Sequence, residues 1–184
     1  MAKTYDPANQ RHRHDLAVAL EKRLLDAGFI EESPEDHVNE RVFYFPVNDG
    51  IRIQVWTTIM GRREMTCVRS EGKDSIKVNA VYRTKAGHDQ GIVRAHSAEE
   101  KPRSVTGRIN RTGNIEDIVE RTIVRAREVW KAARTPHRCP KCEAPTFISK
   151  SKNTVCADLC WKPIEDRAPA RTRPYQPYRR WSRW

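Results

Sequence analysis

Four of the five cysteines fall in one stretch, RCPKCEAPTFISKSKNTVCADLCW, as two pairs. Cys139 and Cys142 are separated by two residues, Cys156 and Cys160 by three, and thirteen residues lie between the pairs. Thiolates at this spacing can converge on one tetrahedral ion, for which zinc is the default. The stretch has too little apolar side chain to build a core of its own, so a metal would have to hold it. Four thiolates leave no open coordination position, so the metal would be structural rather than catalytic. His137 stands two residues before the first cysteine and could replace one of the four as a ligand. Cys67, in the apolar run MTCV, is expected to be a buried structural thiol.

The CPKC and CADLC pairs resemble the knuckles of zinc ribbons, in particular the small C-terminal ribbons of topoisomerases and transcription factors. CPKC matches the first knuckle, proline included. Glu143 stands where a knuckle glycine usually follows, and the second pair has a three-residue spacing in place of two. The likeness covers the cysteine stretch alone. It implies a rigid β-turn module with a closed metal site, of a kind that commonly binds DNA, RNA or a protein partner. The plainer alternative is a clip that only anchors the C-terminus.

The formal net charge is +11, and ten of those charges sit in two acid-free segments. One is 101–113, with Lys101, Arg103, Arg108 and Arg111; the other is 167–184, with Arg167, Arg171, Arg173, Arg179, Arg180 and Arg183. The rest of the chain is nearly neutral, which points to a polyanionic partner and to nucleic acid first. In the tail the arginines alternate with Tyr175, Tyr178, Trp181 and Trp184. Arginine can contact phosphates, and aromatic rings are stacking platforms for unpaired bases. The same residue types are also favoured anchors in protein grooves. Segment 101–114 leads into a helix, whose N-terminal amides beside Arg108 and Arg111 could form a phosphate site; its alternative is a polar connector. Asp49 with Glu71-Gly72-Lys73 has the acid…E-x-K form of a nuclease superfamily that uses Mg²⁺, although here the pattern falls in an expected turn.

These groups need a scaffold. Residues 7–28 read as a helix, with Asp6 as cap, Leu16, Leu20 and Leu24 on one stripe, and Gly28 as the stop. A run of strands follows at 42–47, 51–59, 65–69, 75–83 and 92–97. Asn48-Asp49-Gly50 is a hairpin signal, and Pro46 calls for an edge or a strand end. In the second and fourth runs Ile51, Ile53, Val55, and then Ile76, Val78 and Ala80, alternate onto one face. Residues 114–134 form a second helix capped by Asn114, with Asp117 and Arg121 spaced to pair. Short connections between strands imply an antiparallel meander.

The expected class is therefore α+β. A sheet of about five strands is flanked by an N-terminal and a following helix over 1–135, then a zinc ribbon over 136–163 and an extended basic, aromatic tail over 164–184. Pro169, Pro174 and Pro177 keep that tail from folding alone. No apolar run reaches eighteen residues and the N-terminus has no signal-like apolar stretch, so a cytoplasmic location is expected (host cytosol if the gene is phage-like) with no membrane partner. The expected function is non-catalytic nucleic-acid binding with zinc as cofactor, single-stranded DNA or RNA favoured. The alternatives are an adaptor that docks by ribbon and tail on a nucleoprotein or viral assembly, and a Mg²⁺ nuclease.

Overall fold

The computed structural model of the chain describes residues 4–32, 40–58, 75–97 and 99–161. The strand expected at 65–69, Cys67, the Glu71–Lys73 pattern and the tail residues Arg171, Arg173, Tyr175, Tyr178, Arg179, Arg180, Trp181, Arg183 and Trp184 lie outside the described residues.

Helix α1 spans Gln10–Asp26. It begins three residues later than expected. Asp6 spends its carboxylate on the Ala8 amide at 2.9 Å, making a local turn around Pro7, and Asn9 becomes the cap. Asn9 accepts from the Arg11 and His12 amides at 3.0 and 3.3 Å. At the other end Gly28 takes φ +86°, and the Phe29 amide bonds back to the Leu24 carbonyl at 3.0 Å. This left-handed stop turns Phe29 into the core.

Six antiparallel strands form one sheet: β1 Ile30–Glu31, β2 Glu40–Asn48, β3 Ile51–Thr58, β4 Ser75–Arg83, β5 Asp89–Gly91 and β6 Thr106–Asn110. Strands β1 to β4 are neighbours in chain order, and β5 and β6 share the far edge of β4. Helix α2, Ile115–Ala133, follows. The Asp49-Gly50 turn between β2 and β3 has φ of +45° and +76°, the doubly left-handed geometry that a tight hairpin requires. Pro46 lies beyond the two residues of β2 that β1 covers, so its missing amide leaves no partner waiting on that side.

Both helices lie on one face of the sheet. Ile51, Ile53 and Val55 of β3, and Ile76, Val78 and Ala80 of β4, meet Leu16, Leu20 and Leu24 of α1 and Ile118, Ile123 and Val129 of α2 in one buried cluster. The alternation read from the sequence is what places them there. On the opposite face a polar network runs across three strands. Gln54 Nε2 donates to Tyr44 Oη at 3.0 Å, Tyr44 Oη donates to Asp89 Oδ2 at 2.7 Å, and Arg52 Nη2 reaches Asp89 Oδ1 at 3.2 Å. Burial and the Asp89 bond both raise the Tyr44 hydroxyl, so it stays a donor.

The last strands depart from expectation. Instead of a strand at 92–97, pairing with β4 ends at Gly91 and the chain turns outward. Ile92 and Val93 are consecutive and both fully buried, which no single sheet face can do by alternation. Ile92 bonds Ala80, while Val93 passes to residues after α2. The place this leaves on β4 is taken by β6, in the segment read as a basic lead-in to the second helix or a polar connector. Gly107 and Ile109 point to the helices there, and Thr106, Arg108 and Asn110 point away. Arg121 bonds the backbone carbonyls of Asp117 and Thr112, and Asp117 accepts from Asn114, so the first turn of α2 is tied together through backbone and cap. No helix among the described residues is long and apolar enough to cross a membrane.

Gly107 is where α2 comes closest to the sheet. A Cβ there would overlap the stem of Arg125 and lie 3.2 Å from Val129 Cγ2. Gly107→Val should therefore destabilise the protein by about 1–3 kcal/mol through overpacking; urea unfolding checks this, and an unchanged midpoint would refute the close packing.

Candidate metal centre

After α2 the chain forms a small hairpin, β7 Thr146–Ile148 and β8 Thr154–Cys156. Pairing sets Thr146 against Cys156, Phe147 against Val155 and Ile148 against Thr154. Lys152 closes the turn with φ +64°, and Asn153 bonds back to Ser149 through both backbone and side chain. The turn preceding β7 carries Cys139 and Cys142, and the turn following β8 carries Cys160. The Glu143 amide bonds to the Cys139 carbonyl at 2.9 Å, and the Cys139 amide to the Ala144 carbonyl at 2.9 Å. Glu143 takes φ +59° and Leu159 φ +50°. The chain thus makes the left-handed step at Glu143 without the glycine that would take it with no steric cost.

These turns bring Cys139, Cys142, Cys156 and Cys160 together, with all four sulfurs within 4.8 Å of one another. Cys139 Sγ lies 3.5 Å from Cys160 Sγ, and Cys142 Sγ lies 3.5 Å from Cys156 Sγ. A tetrahedral ion with metal–sulfur bonds of 2.3 Å needs sulfur–sulfur edges of about 3.8 Å. The cluster fits, and it could bind a metal ion, with zinc the usual choice for four thiolates. Without the ion Cys139, Cys156 and Cys160 are electrostatically unequal. The Lys141 amide lowers Cys139 to about 7. The bond to Cys139 pushes Cys160 up to about 12, and burial raises Cys156. A cation is the natural replacement for the protons that keep such close sulfurs from repelling.

His137 is not among the four. Its Nδ1 faces Thr146 Oγ1 at 2.9 Å, and its ring stacks on His96 with centroids 4.6 Å apart. Its role is in the seam between module and sheet domain. Backbone bonds run from the Ala95 amide to Thr135, from His137 to Val93 and from Val93 to Thr146, at 3.1, 2.9 and 2.9 Å. Side chains add to the seam. Arg138 donates to Asp49 Oδ2 at 2.9 Å, and Asp158 accepts from Tyr82 Oη at 3.0 Å and from the Lys85 amide at 3.1 Å. Tyr82 is pushed up to about 12, first by burial and then by Asp158, so it remains a phenol that donates.

The sequence reading assigned Tyr82, His96 and Asp158 no role at the cysteine module. Asp158 lies between two cysteines and Tyr82 reads as core by alternation; their meeting depends on how the hairpin docks, which no local pattern encodes. Asp49, half of the acid…E-x-K pattern, is bonded to the module through Arg138. Of the basic segment, Lys101, Arg103 and Arg108 are exposed, whereas Arg111 turns toward Tyr5 Oη at 3.4 Å. They are not gathered around one point: Lys101 and Arg103 precede β6, Arg108 is on it and Arg111 follows it.

Cys139→Ser should remove about one equivalent of metal per chain, measured by elemental analysis. The helical circular-dichroism signal should persist, because the main core contains no module residue. Full metal content in that variant would refute the four-sulfur site. At pH 8 the raised thiols of Cys156 and Cys160 are protonated, so metal binding should release at least two protons and the affinity should rise with pH. Calorimetric titration in buffers of different ionisation enthalpy reads that number; release of fewer than two would contradict the assigned thiol states.

Neither a family model, nor a curated protein, nor a solved structure matches this chain.

Proposed function

We propose that the chain is a non-catalytic, zinc-containing nucleic-acid-binding protein that favours single strands. The observation that carries the first half is the four-sulfur cluster. Four thiolates fill a tetrahedral ion, so the zinc would hold a ribbon in shape and offer no position to a substrate or water. The second half is supported by the placement of charge. The body is close to neutral, the excess lies in 101–113 and 167–184, and Lys101, Arg103 and Arg108 are open to solvent. Tail arginines would neutralise phosphates, and Tyr175, Tyr178, Trp181 and Trp184 would stack on unpaired bases. Duplex DNA hides the base faces such rings need, which is why single strands are favoured.

A second reading keeps the zinc and changes the partner. The aromatic and arginine content of the tail also suits a protein groove, which would make the chain an adaptor on a larger nucleoprotein assembly. Salt separates the two. Phosphate contacts release counterions, and contact with about six phosphates of a single strand costs roughly a few hundredfold in affinity between 50 and 200 mM salt. Binding of the metal-loaded protein to labelled single-stranded DNA, single-stranded RNA and duplex should show this slope and should weaken on removal of residues 167–184. A flat salt response, or no binding at low salt, would refute nucleic acid as the partner.

A further inference from the structure

The sheet face turned away from the helices carries a row that the metal centre does not use. Register sets Val42 opposite Trp56, and Lys77 opposite Arg108. Val55 and Val78 are the last paired residues of β3 and β4, and Trp56 and Lys77 are the next residues on the two strands. The neighbours Val55, Val78 and Ile109 pack into the main core, so alternation turns Val42, Lys77 and Arg108 to the other face, with Trp56 at the sheet's end, where it also borders a small cleft beside Arg13, Leu16 and Ile76. Trp56 is 40 % exposed, and Lys77 and Arg108 are exposed.

Two features of this row work against stability. Trp56 keeps part of its indole in water, on a face where Val42, Tyr44 and Val81 are buried. Two cations stand directly opposite each other on an antiparallel pair, an arrangement that destabilises a sheet. Elsewhere on the same face the sheet balances its cations: Arg52 is paired with Glu32 and Asp89, and Arg83 with Asp89. Among the described residues neither Lys77 nor Arg108 has an acidic partner. What relieves both costs is a ligand with negative charge and a flat unsaturated surface side by side. Strands lie about 4.8 Å apart, so positions on β3 and β6, with β4 between them, stand roughly 10 Å apart, a span that one base and the adjoining phosphates can bridge.

We infer that Trp56, Lys77 and Arg108 form a sheet-borne contact surface for single-stranded nucleic acid, with a base stacked on Trp56 and phosphates on the two cations. The inference rests on the nucleic-acid reading above and adds to it a rigid site in the folded domain, independent of the tail. Duplex offers Trp56 no free base face. An acidic polypeptide would satisfy Lys77 and Arg108 but leave the indole unused.

The test uses the full-length, metal-loaded chain and fluorescence anisotropy with labelled oligothymidine and oligouridine 12-mers. Trp56→Ala should weaken binding by roughly fivefold or more, with Trp56→Phe restoring most of it. Lys77→Gln with Arg108→Gln should lower the salt slope by roughly 1.4, for two lost phosphate contacts. The melting temperature of that double variant should stay level or rise, because opposed cations are removed. If the wild type binds and only Trp181→Ala with Trp184→Ala weakens it, the sheet surface is refuted while nucleic-acid binding stands. If the wild type binds neither oligonucleotide, both fall. Competition by polyglutamate that depends on Lys77 and Arg108, with Trp56→Ala silent toward the oligonucleotides, would also overturn the inference.

Discussion

Everything in this fold hangs on the far edge of β4. That strand presents nine residues of backbone to its outer side, and buried amides and carbonyls must be paired. No single strand covers it. β5 takes Val81–Arg83, β6 takes Ser75–Asn79, and at Ala80 between them the amide bonds to Val105 and the carbonyl accepts from Ile92. This division determines the route of the chain. Having left the edge after Gly91, it must run outward before returning as β6, and the excursion is what meets the cysteine module. The return then feeds directly into α2, which closes the core.

The module is held by two different kinds of interaction. Its own interior is small: Cys139, Ala144 and Cys156, with Cys160 packed against them. Such a cluster supplies little hydrophobic stabilisation, whereas a structural zinc in small peptides contributes about 10–16 kcal/mol in apparent terms. Its position, in contrast, comes from the sheet domain. Asp158, Arg138 and the backbone of Val93 fix the hairpin against β4, the β2–β3 turn and the run after β5. Metal would govern whether the module has a shape, and the seam governs where that shape sits.

Much of this was legible in the residues, and the failures share a cause. The spacing of the cysteines, the Asn48-Asp49-Gly50 turn, the Asn114 cap and the alternation in β3 and β4 are local patterns, and each acts locally in the structure. β6 was hidden because one of its inward positions is Gly107. A glycine carries no apolar signal, yet here it is needed so that Arg125 and Val129 can approach. The extension expected at 92–97 failed because Ile92 and Val93 serve two different partners, and a periodicity argument assumes one. The early start expected for α1 failed in a contest between two good caps, Asp6 and Asn9, which Pro7 and Ala8 resolve by forming a turn.

The seam after β5 has one more effect. Residues 93–95 would otherwise extend the sheet with a short run of free backbone donors and acceptors, a template on which another chain could add a strand. Residues 135–137 and 146 occupy that run instead. The cysteine module thus also covers the sheet's margin at residues 93–95, and a chain whose module came loose would present that border to its neighbours.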